Sequence, residues 1–171
     1  LALEGPNGAG KTSTLRMLAG LLSQAEGTII FRDGDGTIVA DGEERSRLVA
    51  WLGHQNGIKA QLSVAENADF FAKLFGAGGY AQIIQRVGLG ELAELPAAYL
   101  SAGQMRRLAL TRLVLSHRPL WLLDEPMASL DRSGRALATG LIEEHCASGG
   151  IAIVASHEPL SLASAKLVLG S

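Results

Sequence analysis

The run Gly5-Pro6-Asn7-Gly8-Ala9-Gly10-Lys11-Thr12 carries the spacing G-x-x-x-x-G-K-[ST], and each fixed position has a chemical reason. Glycines lack the Cβ that resists positive φ, so successive backbone N–H groups can turn inward around an anion. Lys11 adds a point charge that reaches β- and γ-phosphates, and the Thr12 hydroxyl is a ligand for Mg²⁺. The helical pattern entered through Ser13 would aim its dipole and free amides at the same anion. A Gly-rich turn capping a helix would look similar, but a chance match to four fixed positions arises in only about one such chain in a hundred. A second signal is Leu120-Trp121-Leu122-Leu123, an apolar strand ending in Asp124 and Glu125. Behind such a strand Asp124 would hold the Mg²⁺ that bridges terminal phosphates, and Glu125 would take a proton from the attacking water.

Leu100-Ser101-Ala102-Gly103-Gln104 opens a helix, with Ser101 as a natural N-cap. Arg106 and Arg107 follow near its start, where basic residues oppose the dipole. They imply a surface that meets negative charge, a second anion site at a helix N-terminus. Gln55, Asp131 and His157 carry no chemistry alone; a surface amide, a helix cap and a structural imidazole are what their residue types support.

The elements that must position these groups follow an α/β pattern with parallel strands. Strands are expected at 1–3, 48–52, 120–124, 151–155 and 166–169, helices at about 11–22 and 131–147, and a hairpin at 28–31 and 37–40 around Asp33-Gly34-Asp35-Gly36. From Ser63 to Leu100 the character changes to short amphipathic helices, the first capped by Ser63 with Glu66 as its capping-box partner. The reading is a single domain over 1–171, with an α/β core at 1–61 and 101–171 and a helical insertion at 62–100.

Composition narrows the class. With 171 residues, 47% apolar and 19% charged, the chain suits one globular domain. A net charge of -2 argues against a free-standing nucleic-acid binder. No apolar run approaches the ~18 residues of a membrane span. Cys146 is the single cysteine, which excludes an internal disulfide, and neither a Cys-x-x-Cys-His haem-attachment motif nor a zinc cluster is present.

In family order over nearly the whole chain, these motifs resemble the nucleotide-binding subunits of ATP-binding cassette (ABC) transporters. The phosphate loop is followed by Gln55, the signature Leu100 to Gln104, the strand-end acids Asp124 and Glu125, then Ala128-Ser129-Leu130-Asp131, and His157. The resemblance implies a P-loop NTPase core with an inserted helical subdomain, ATP and Mg²⁺ as ligands, and two subunits sandwiching two ATPs. It implies that Ser101, Gly103 and Gln104 bind the nucleotide held by the opposite subunit. It also implies that Gln55 senses Mg²⁺ and water, that Asp131 links the two sites, and that His157 contacts the γ-phosphate.

Within the family, Trp51-Leu52-Gly53-His54-Gln55-Asn56-Gly57, Leu62-Ser63-Val64-Ala65-Glu66-Asn67 and Gln104-Met105-Arg106-Arg107-Leu108 resemble the haem-exporter ATPases of cytochrome c maturation. That branch implies a second ATP-binding subunit forming a homodimer and a CcmB-like integral membrane permease, with no nucleic acid and no covalently held haem. The chain would then lie peripherally at the cytoplasmic face of a bacterial inner membrane. His54 reads as a loop histidine beside the nucleotide switch. The rivals are another ABC exporter branch and a soluble non-transport ABC ATPase. Phe70, Phe71, Leu74 and Phe75 form an apolar face that either docks a partner or packs in a core. Relatives carry upstream strands with an adenine-stacking aromatic, so the N-terminal strands are expected to be missing.

Overall fold

The structure is a computed structural model, and it describes residues 1–157 and 165–170. Five parallel strands make one sheet in the order β2-β3-β4-β1-β5. They are β1 (Ala2–Glu4), β2 (Val49–Leu52), β3 (Leu120–Asp124), β4 (Ile151–Ala155) and β5 (Lys166–Val168). Their period-two side chains divide the core between two faces. Leu3, Val49, Leu122 and Ala155 pack with Leu15 of α1 (Lys11–Leu18) on one face. Ala50, Leu52, Trp121, Leu123, Ala152 and Val154 pack on the other against α5 (Ala102–Ser116) and α6 (Arg132–Ala147). Helices thus cover both faces, as parallel strands buried on both sides require. Fully burying a side chain such as Leu122 or Leu123 stabilises the fold by roughly 1.5–3 kcal/mol.

Between β2 and α5 lie α3 (Val64–Phe75), α4 (Tyr80–Arg86) and two short 3₁₀ turns. Their own cluster gathers Val64, Ala68, Ile84, Val87 and Leu89 against Leu108 of α5. Ser63 and Glu66 form the reciprocal capping box that starts α3. The Phe70–Phe75 face divides: Phe71 is buried against Leu115, while Phe70 and Leu74 are exposed.

Three local features differ from the pattern read in sequence. Helix α1 stops at Leu18, because Gly20 takes φ 72° and closes the end with Leu21 N–H donating to the Arg16 carbonyl. The hairpin shrinks to a single antiparallel bridge, Arg32 to Ile38, since the Asp33 carboxylate accepts from the Asp35 and Thr37 amides and bends the chain locally. A seven-residue helix, α2 (Gly42–Leu48), leads into β2, capped by Asp41 with acids in its first turn and arginines in its last.

β2 is an edge strand, and its outward carbonyls are covered by guanidinium groups. Arg118 donates to Val49, Arg112 to Trp51 and Arg106 to Gly53, at 2.7, 2.7 and 2.9 Å. Arg112 of α5 and Arg118 just beyond it thus cover the strand itself, and Arg106 the residue that follows it.

Candidate nucleotide site

The carboxyl ends of β1, β3 and β4 are neighbours in the sheet, and open α/β sheets bind ligands outside such ends. The loop leaving β1 turns at Gly5, with φ 145°, where any Cβ would lie 2.5 Å from the Leu169 carbonyl oxygen; glycine is required there. Gly10 takes φ 96° as the N-cap of α1, so the helix amides open toward the loop.

A cavity of about 470 Å³ lies over this edge. The phosphate-loop residues Asn7, Gly8, Gly10, Lys11, Thr12 and Ser13 line one side, and Asp124, Glu125 and His157 the other. Lys11 is buried, and its ammonium donates to the carbonyls of Gly5 at 2.7 Å and Pro6 at 3.1 Å. The Thr12 hydroxyl donates to the buried carboxylate of Asp124 at 2.9 Å. Two oxygen groups suited to a hard divalent cation are therefore already in contact. Glu125 stands at φ 52°, and its carboxylate accepts from the His157 backbone N–H and faces its Nδ1, both at 3.0 Å. Among the described residues no group of three or more His, Cys, Asp or Glu side chains could hold a metal. The donor set instead suits an ion that completes its shell with phosphate and water.

Gly5, Pro6 and Ala9 shape the loop without lining this cavity, and the cavity wall takes His54 in place of Gln55, which is exposed on the segment after β2. Ser101, Gly103 and Gln104 lie outside it altogether. Ser101 accepts from the Gln104 N–H at 3.3 Å, and the Gln104 side chain accepts from the Ser101 N–H at 2.8 Å, a capping box at the start of α5. Gly103 sits so close to the chain after β3 that a Cβ would be 2.8 Å from the Ser129 carbonyl oxygen. Asp131 caps α6 through the Gly134 N–H at 2.7 Å. That bond, together with Arg107 and Ser133, holds its carboxyl below the usual carboxylate range.

Arg106 and Arg107 correct the expectation of a basic surface. Arg107 pairs with Asp131 at 2.8 Å and with Ser133 at 2.7 Å. Arg106 is only 3% exposed and spends its donors on the protein's own interior. Burial pushes its pKa down to about 10, against the pull of nearby Asp124, so it stays a cation at neutral pH. The cavity also contains Arg16, which sequence reasoning passed over; it lies four residues after Thr12, one helical turn on and on the same face. A hollow of similar size, about 500 Å³, lies beside Trp121 and His145 and has none of the phosphate-loop residues in its wall.

Comparison with known proteins gives the family and the fold. The family described as ABC transporter matches residues 1–128. The cytochrome c biogenesis ATP-binding export protein CcmA of Mesorhizobium japonicum is 45% identical over 172 aligned residues, 99% of this chain and 84% of its own length. Its counterpart in Rhodopseudomonas palustris (strain BisB5) is 47% identical, covering 100% of this chain and 84% of its own length. The solved ATP-binding subunit of an ABC transporter superposes with TM-score 0.81 at 24% identity over 98% of this chain and 73% of its own. A dimeric post-hydrolysis state of the ATP-binding cassette MJ0796, bound to ADP and Pi, gives 0.75 at 21% over 92% and 74%. Both structures speak to the fold.

Proposed function

This chain belongs to the ABC transporter family, and we propose that it is the ATP-binding, ATP-hydrolysing subunit of an exporter serving cytochrome c biogenesis, with haem as the exported group. The observation that carries this reading is the 45–47% identity to CcmA proteins over essentially the whole chain. The transport path would belong to an integral membrane permease of the CcmB kind; among the described residues of this chain no helix is long and apolar enough to cross a membrane. The chain would act at the cytoplasmic face of the bacterial inner membrane.

In this reading the amides of Gly8 to Lys11, the Lys11 ammonium and the Ser13 region bind the phosphates. Mg²⁺, held by Thr12 and Asp124, would neutralise charge on the terminal phosphates. Glu125 takes the proton of the attacking water, and His157 holds its carboxylate in place. Gln55 contributes to the cation and water from the segment after β2. Ser101, Gly103 and Gln104 meet the nucleotide of a second copy, which accords with their lying outside their own subunit's cavity. ATP then favours the closed pair because only there do its phosphates gain the second helix terminus. Asp131 lies at the junction of the two sites.

The test is replacement of the chromosomal copy by Lys11→Ala. Covalently haem-bound c-type cytochromes should disappear from haem-stained gels and return with the wild-type sequence. Unchanged c-type cytochromes, with ATP hydrolysis by the purified wild-type protein intact, would overturn the biogenesis assignment and leave the ATPase standing.

A further inference from the structure

Arg106 makes five hydrogen bonds, and no carboxylate accepts any of them. Nη1 donates to the Gly53 carbonyl at 2.9 Å and to the Asn56 side-chain oxygen at 3.0 Å. Nη2 donates to the carbonyls of Asp124 at 3.0 Å and Glu125 at 2.7 Å, and Nε to that of Pro126 at 3.2 Å. Three consecutive carbonyls at the end of β3 therefore face one cation, as does the segment after β2 that contains Gln55.

Covering the edge of β2 does not explain this. Arg112 and Arg118 perform that task with donors to Trp51 and Val49, whereas Arg106 reaches across to β3 as well. The residue it reaches is strained: Glu125 has φ 52°, a left-handed backbone uncommon for a residue with a Cβ. Such a conformation persists only where its surroundings hold it. Glu125 is gripped at the backbone by Arg106 and at the carboxylate by His157.

We propose that Arg106 is a positioning residue for hydrolysis, holding the Glu125 backbone in register with the 53–56 segment. The proposal rests on the assignment of Glu125 as the base. A guanidinium is a rigid plane with five donors, so displacement of Gly53 or Asn56 on one side moves the acceptors on the other. The segment after β2 is itself anchored beyond Asn56 by buried Asn67, whose amide bonds the backbone of Lys59, Leu62 and Ser63. A motion arriving from α3 at Lys59 thus reaches the base through the short backbone stretch 56–59 and the Arg106 fork.

The test measures steady-state hydrolysis by the full-length protein carrying Arg106→Lys, Asn56→Ala, Glu125→Gln, and Arg106→Lys with Glu125→Gln. Arg106→Lys keeps the charge and loses the fork; its kcat should fall at least tenfold with KM for ATP within twofold. Asn56→Ala removes one bond of the five and should lower kcat by a smaller factor, again at constant KM. In the Glu125→Gln background Arg106→Lys should cause no further loss, because both act at one step. Arg106→Lys or Asn56→Ala with wild-type kcat, or a loss that multiplies in the Glu125→Gln background, would overturn the proposal. If Arg106→Lys fails to fold, the Asn56→Ala result decides alone. Near wild-type turnover by Glu125→Gln itself would instead remove the base assignment beneath it.

Discussion

The Thr12 hydroxyl touches both oxygens of Asp124 across 112 residues of chain, at 3.1 and 2.9 Å. One comes from the first turn of α1 and the other from the last residue of β3, so the packing of α1 on the sheet sets their separation. If these two groups hold Mg²⁺ as proposed, the fold itself sets their spacing, and little reorganisation is needed to bind it.

Thr12→Ala should therefore abolish the Mg²⁺-dependent part of nucleotide affinity while leaving the affinity in EDTA within about twofold, because the amide cradle and Lys11 remain. Removing one ligand to a charged centre costs about 2–3 kcal/mol, or roughly 30- to 150-fold in hydrolysis. Thr12→Ser should restore most of it. Calorimetric titration of nucleotide with and without Mg²⁺ checks the difference.

Gly103→Ala acts from outside the Lys11 cavity. The added Cβ would meet the Ser129 carbonyl oxygen at 2.8 Å, so the start of α5 and the chain after β3 must separate. Nucleotide affinity at the Lys11 cradle should stay within about twofold, since that cavity contains neither residue. Hydrolysis should fall on the order of ten- to a hundredfold through misplacement of groups that must meet closely. Parallel binding and turnover measurements on the one variant separate the two effects.

What was legible in the residues depended on how local each cause was. Leu120-Trp121-Leu122-Leu123-Asp124 reads as a strand and is one, because a continuous apolar run flanked by a turn has few other homes. The phosphate loop and the strand-end acids were legible for the same reason: glycine spacing and a terminal carboxylate need no knowledge of the rest of the chain. Helix α2 was missed although Asp41, Glu43, Glu44, Arg45 and Arg47 mark its ends, since it is too short for an apolar stripe to announce it. Arg106 was misread as surface because its partners lie 18 to 53 residues away. The burial of a guanidinium among carbonyls is a tertiary fact, invisible to helix-end rules. Gln55 and His54 exchange places at the cavity wall for a similar reason, the path of the segment after β2 being set by Arg106 and Asn67 rather than by its own composition.

A pH dependence follows from His145, whose ring stacks on Trp121 at 4.0 Å and 7°. Burial lowers its pKa below that of a free imidazole, with the Ile151 and Pro119 carbonyls opposing. The unfolded chain then binds the proton first, so stability conferred by the neutral ring is complete above about pH 6.5 and lost as pH falls toward the lower folded value. Thermal melts between pH 7.5 and 5 should show this loss. His145→Phe, which keeps the stack and cannot be protonated, should flatten the profile. An identical slope in the variant would assign the acid sensitivity to other groups.

In the proposed cycle one copy's cradle and another copy's serine-headed helix close on the same ATP, and Glu125 opens them again through hydrolysis. The most direct measurement is the solution mass of Glu125→Gln at saturating Mg-ATP, by light scattering on the full-length protein. An ATP-dependent dimer with little turnover is expected, dispersed to monomer when Ser101→Arg is added. A Glu125→Gln protein that stays monomeric with ATP bound, or that hydrolyses ATP near the wild-type rate, would contradict that cycle.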